Sequence, residues 1–131
     1  MKIKNYINGE FVNPILDNWI DNYNPSNGEI YSQIPNSSDI DLKNAFKAAK
    51  HAFPKWSEST LEKRSQILSN IAHLITKKLP ELAAAEAKDN GKPLELAKSI
   101  DIPRAAANFQ FFANAITQFA SETHDSVGLN A

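Results

Sequence analysis

The segment DIPRAAANFQFFA, Asp101–Ala113, decides how the chain is read, because it combines a long apolar repeat with a proline and an arginine. Ile102, Ala105, Phe109, Phe112, Ile116 and Phe119 recur three or four positions apart, the spacing of a helix face turned towards a core. Pro103 lacks a backbone N–H and fits best in the first turn of a fresh helix. PLELAKSI (93–100) and the stretch from Asp101 to about Glu122 are therefore expected to form two helices, or one bent helix. Arg104 lies off the apolar face, with Asp101, Asn108 and Phe111 as its neighbours at helical spacing.

Upstream, the helical pattern continues to Ser37. Ser37 or Ser38 caps a helix, with Asp39 and Asp41 in its first turn, and Leu42, Ala45, Phe46, Ala49 and Phe53 mark one face. Pro54 and Trp56 close that segment. SEST (57–60) precedes a second helix striped by Ile67, Leu68, Ile71, Leu74, Ile75 and Leu79. Pro80 opens a third helix or a kink, Gly91 ends it as a left-handed C-terminal residue, and Pro93 starts another.

Residues 1–35 differ in kind. YINGEFV (6–12) places two short apolar pieces around Asn8-Gly9, a dipeptide suited to a type I′ hairpin turn. NPSNGEIYSQIP (24–35) repeats turn punctuation before a strand in which Ile30 and Ile34 share a face. The expected fold is α+β: a β-hairpin layer over 1–35, helices over 36–122, and an aperiodic tail over 123–131 that stops without a closing element.

Bulk properties narrow the function. The 131 residues are enough for one domain with a core. Lys plus Arg total 14 and Asp plus Glu 15, so no basic field invites nucleic acid or an anionic membrane. No apolar run is long enough to span a bilayer, and MKIKNYINGE turns polar too early for a signal peptide, which points to a soluble, cytoplasmic chain. There is no cysteine, which excludes thiolate chemistry within these residues. His51, His73 and His124 have no metal-binding spacing, and no phosphate-cradling GxGxxG or GxxxxGK motif is present.

Two places carry chemistry. Asp89, in EAKDNGKP (86–93), sits at a helix C-terminus, where the helix dipole disfavours a carboxylate; either the segment is a simple helix stop, or a cation repairs the charge. Arg104 either pairs with Asp101 at i, i+3 or lines a pocket and grips a carboxylate in bidentate fashion, with Phe111 as an apolar wall.

The order YINGEFV, NPSNGEIYSQIP, AFKAAKHAFPKW, RSQILSNIAHLI, LAAAEAKDNGKP and then the Phe-rich helix resembles the first part of the NAD(P)-dependent aldehyde dehydrogenase superfamily along essentially the whole chain. DIPRAAANFQFFA further resembles the branches acting on muconic semialdehydes and betaine-type aldehydes. The resemblance implies an α/β fold for the whole enzyme, with residues 1–131 forming part of its nucleotide-binding domain. It implies Ile100 and Arg104 as substrate-binding residues, Arg104 taking the substrate carboxylate. It also implies a structural monovalent cation held by Asp89 with backbone oxygens near Asn22 and Tyr23.

The reaction implied is NAD- or NADP-dependent oxidation of a small aldehyde to the acid by a homo-oligomer, through attack by a cysteine thiolate. This chain has no such cysteine, so alone it is expected to be inert, an N-terminal fragment cut short by design or by an interrupted gene. The competing expectation is a non-catalytic helical interaction module derived from the same family. A glycine-rich turn and a cysteine motif encoded downstream of codon 131 would favour the enzyme fragment.

Overall fold

The computed structural model describes residues 1–118. It begins with two antiparallel strand pairs. Strands β1 (Asn5–Ile7) and β2 (Glu10–Val12) pair with Tyr6 opposite Phe11, and Asn8 (φ 54°) and Gly9 (φ 84°) both take positive φ in the tight turn, as a type I′ hairpin requires. Strands β3 (Trp19–Tyr23) and β4 (Ile30–Pro35) form the second pair, joined by a turn in which Asn24 accepts from Gly28 N–H at 2.8 Å. The first residues add to this pair: Ile3 N–H donates to the Gln33 carbonyl and Gln33 N–H to that of Met1.

One detail of β4 departs from the sequence reading. Asn22 pairs with Ser32 but Tyr23 pairs with Ile30, so Tyr31 is an extra residue, a β-bulge. The bulge breaks the two-residue alternation between Ile34 and Ile30, and a shared face no longer follows from their spacing.

Helix α1 (Asp39–Ser57) starts at Ser38, whose N–H and hydroxyl both donate to the Asp41 carboxylate, at 2.7 and 2.8 Å. Pro54 lies inside its last turn, and the helix ends at Ser57. Helix α2 (Leu61–Lys77) is capped by Thr60, whose hydroxyl oxygen accepts from Lys63 N–H at 3.2 Å. Helix α3 (Leu79–Asn90) carries Pro80 in its first turn and ends at Gly91 with φ 76°. A short helical turn, α4 (Leu94–Leu96), leads through a π-helical turn, Ala97–Asp101, into α5 (Ile102–Ile116). Of the two arrangements expected from Pro93 onwards, two helices or one bent helix, the path is continuous, with a π turn just before Pro103. Pro103 cannot donate to the preceding turn, and Ile102 N–H reaches back five residues to the Ala97 carbonyl instead.

The core differs from the one expected. α2 packs along α5, and among the described residues the buried apolar side chains are all alanines: Ala72, Ala83, Ala97, Ala106 and Ala113. Phe112, expected inside, is 61% exposed, and Phe109 is 37% exposed, while Ile102, Ala105 and Ile116 of the same face are half-buried. The buried side of α5 is rotated towards Ala106 and Ala113, because small residues let α2 approach closely enough for Ser65 Oγ to donate to the Ala113 carbonyl at 2.7 Å. Phe119 lies outside the described residues. On α1, Leu42, Phe46 and Phe53 are likewise bare, between 63% and 69% exposed. The accessible area, 10160 Å², compares with about 6,900 Å² for a compact monomer of 14.5 kDa. Among the described residues the helices carry apolar faces that they do not cover themselves.

Candidate functional site

Asp89 lies in the last turn of α3 and faces the second strand pair. Its Oδ1 accepts from the Asn22 side-chain amide at 3.0 Å and from the Tyr31 hydroxyl at 2.5 Å. The bulge in β4 aims Tyr31 there, and Asn22 Nδ2 also donates to the Tyr31 oxygen at 3.0 Å. These bonds, Tyr31's first and then Asn22's, hold the Asp89 carboxyl below its usual range. The same bond to Asp89, with burial and the nearby negative charge, pushes the Tyr31 phenol up. The Lys88 ammonium lies 4.7 Å from the centre of the Tyr31 ring, a cation–π contact beside the helix end.

Of the three residues expected at this place, Asn22 meets Asp89 through its side-chain amide rather than through the backbone oxygen expected of it. No hydrogen bond among the described residues links Tyr23 to Asp89. Tyr31 is the partner that sequence reading missed, since nothing in IYSQIP signals the bulge that redirects it. Both bonds to Asp89 fall on Oδ1, and Oδ2 accepts none among the described residues.

The second cluster surrounds Asp101, at the end of the π turn. Lys92 Nζ sits between Glu86 Oε1 at 2.9 Å and Asp101 Oδ2 at 2.6 Å. Asp101 and then Glu86 raise the Lys92 pKa, the hydrogen bonds outweighing the opposing effect of burial. Arg104 reaches the other oxygen of Asp101 at 3.4 Å, the i, i+3 pair foreseen from spacing. Its side chain is 69% exposed, against 18% for Asp101. Ile100, also exposed, precedes it in the π turn. Lys92 and Glu86 were not singled out from sequence; the turn at Gly91 brings Lys92 back over the helix, which spacing alone does not show.

A third polar site is structural. Asp41 is 3% exposed, and besides Ser38 it accepts from Ile15 N–H at 3.0 Å, tying the β2–β3 connection to the start of α1. The Ser38 backbone N–H and then its hydroxyl hold the Asp41 carboxyl below its usual range, against the effect of burial. Among the described residues no group of three or more His, Cys, Asp or Glu side chains gathers in a metal-binding arrangement, and no helix is long and apolar enough to cross a membrane.

Residues 11–130 match the model of the aldehyde dehydrogenase family. Human 2-aminomuconic semialdehyde dehydrogenase is 43% identical over 122 residues, 93% of this chain and 25% of that protein. The solved NAD⁺ complex of an aldehyde dehydrogenase from Bacillus cereus superposes with a TM-score of 0.90 at 34% identity, covering 95% of this chain and 26% of the other. Betaine aldehyde dehydrogenase from Staphylococcus aureus, solved with NAD⁺, gives 0.89 at 31% identity over 95% of this chain and 25% of its own. The chain thus spans about a quarter of the length of the relatives it matches.

Proposed function

The chain belongs to the aldehyde dehydrogenase family and covers the N-terminal part of its larger members, and from that premise we propose that it serves an enzyme oxidising a carboxylated semialdehyde to the acid with NAD or NADP. Arg104 carries this reading. Its guanidinium is mostly solvent-exposed and held by a single long contact, so it can take a carboxylate in bidentate fashion. Exposed Ile100 and Phe111 offer apolar surface on the same helical path. Of the two aldehyde types that the relatives suggest, the arginine favours the semialdehyde, because a cationic betaine-type aldehyde would meet a like charge.

NAD or NADP, when bound, accepts hydride from the substrate. Gly9, Gly28 and Gly91 serve turns and a helix end, and no dinucleotide cradle is built by the described residues. In this reading the nucleophile and the nucleotide contacts come from the remaining three quarters of such an enzyme, and the 131-residue chain, which has no cysteine, is inert alone. Its own share of the work is one wall of the substrate approach and the scaffold behind it, within the nucleotide-binding domain.

A structural monovalent cation at Asp89, on the Oδ2 that accepts no hydrogen bond among the described residues and with backbone oxygens near Asn22 and Tyr23, would offset the negative end of α3. The site is half satisfied without one, since Asn22 and Tyr31 already donate to the other oxygen.

The test of the substrate reading places this chain in a whole enzyme, as a chimera in which it replaces the matching quarter of the human relative. Arg104→Met should raise KM for a muconic-type semialdehyde by roughly 10- to 100-fold, the worth of one charge-assisted bidentate contact. Oxidation of hexanal should be unaffected. Equal loss on both aldehydes would assign Arg104 to folding instead.

A further inference from the structure

One carboxylate, that of Asp101, faces two cations. Lys92 is the near one, at 2.6 Å and 25% exposed; Arg104 is the far one, at 3.4 Å and 69% exposed. Glu86 tethers Lys92 from the other side at 2.9 Å, so the ammonium is fixed over Asp101 rather than free to leave for solvent. A carboxylate oxygen held by a short, partly buried ammonium leaves less negative potential for a second, exposed partner. The geometry agrees: the contact to Lys92 is short and the contact to Arg104 is long.

Asp101 and Arg104 sit three residues apart on one helical path, where a carboxylate and a guanidinium pair readily. An Asp101 relieved of Lys92 would be the nearest competitor for the very group that a substrate carboxylate needs. We propose that Lys92 is a positioning residue for substrate recognition: by occupying Asp101 it keeps the Arg104 guanidinium available to the carboxylate of the incoming aldehyde. This inference rests on the assignment of Arg104 as the carboxylate-binding residue. It gives the lysine of DNGKP a role through Asp101, with no contact to substrate of its own.

The test uses the same chimera and reads KM and kcat separately. Lys92→Met should raise KM for the muconic-type semialdehyde by about tenfold with kcat unchanged, as Asp101 closes on Arg104. Kinetics on hexanal, which has no carboxylate, should not move. Adding Asp101→Asn to Lys92→Met should bring KM back to within about twofold of the parent, because the competitor has lost its charge.

Lys92→Arg should behave as the parent, and Asp101→Asn alone should leave KM unchanged or lower it. A double variant as impaired as Lys92→Met, or parallel loss on hexanal, would show that Lys92 only supports the fold. A raised KM in Asp101→Asn alone would mean that Asp101 orients Arg104 rather than competing for it, and would overturn the inference even if Lys92→Met fails to fold. If Arg104→Met raises KM for the semialdehyde and Lys92→Met does not, the role of Lys92 falls and that of Arg104 stands. If Arg104→Met is silent, both fall.

Discussion

Asp41 and Asp89 show how a single carboxylate can join parts of the chain that are distant in sequence. Asp41 accepts from Ser38 twice and from Ile15, 26 positions away. Its folded pKa is depressed, so the stability it contributes is present above the ordinary carboxylate value of 3.8 and is lost as pH falls through the lower folded value. Asp41→Ala removes the acceptor for two backbone amides, and hydrogen exchange at Ser38 and Ile15 should accelerate together by at least about tenfold. Acceleration at Ser38 alone would mean that the bond to Ile15 does not hold the β2–β3 connection in place. The Asp89 carboxyl is also depressed, and its contribution has the same sign. Asp89→Asn should lower thermal stability, and the loss should depend on sodium or potassium if a cation binds Oδ2. A loss independent of salt would assign the site wholly to Tyr31 and Asn22.

At the scale of elements, the end of α3 is the most constrained point. Gly91 has φ 76°, and a Cβ built there would stand 3.0 Å from the Pro25 Cβ in the β3–β4 turn. Gly91→Ala therefore meets both a left-handed backbone and a close neighbour, and should cost about 1–2 kcal/mol from the backbone alone. A thermal midpoint unchanged by the substitution would mean that the turn at Pro25 yields freely. This helix end was legible in the sequence, as were the Thr60 cap, the Asn8-Gly9 hairpin and the proline in the first turn of α3, because each depends on residues within four positions of one another. The partners of Asp89 were not legible: Tyr31 lies 58 positions away and Asn22 lies 67 away, and the bulge that aims Tyr31 comes from strand pairing rather than composition. Which part of the apolar stripe of α5 is covered was not legible for a related reason. Periodicity finds an apolar stripe, but Phe109 and Ala106 are both apolar, and only the close approach of α2 decides which of them is covered. Asp101 with Arg104 was visible as an i, i+3 pair, whereas Lys92 joins them only through the fold of the Gly91 turn.

For the whole molecule, the balance of surface decides how the chain behaves in isolation. It buries alanines and exposes Leu42, Phe46, Phe53, Phe111 and Phe112, with an accessible area well above that of a compact monomer of its mass. In relatives about four times as long, a chain of the same fold has the rest of the polypeptide available to meet such faces. Purified alone, the 131-residue chain should associate with itself in a concentration-dependent way, because so many large apolar side chains are rarely left exposed on the helices of a monomer. Sedimentation velocity across a dilution series checks this, and Phe46→Glu with Phe53→Glu should weaken the association while helix content by circular dichroism stays constant. Mixing the chain with a separately produced polypeptide corresponding to the remaining three quarters of the human relative should replace self-association by a complex of one copy each. A chain that stays monomeric at high concentration, unfolds cooperatively and ignores that polypeptide would instead be a self-sufficient helical module, and the enzyme reading of Arg104 would lose its footing.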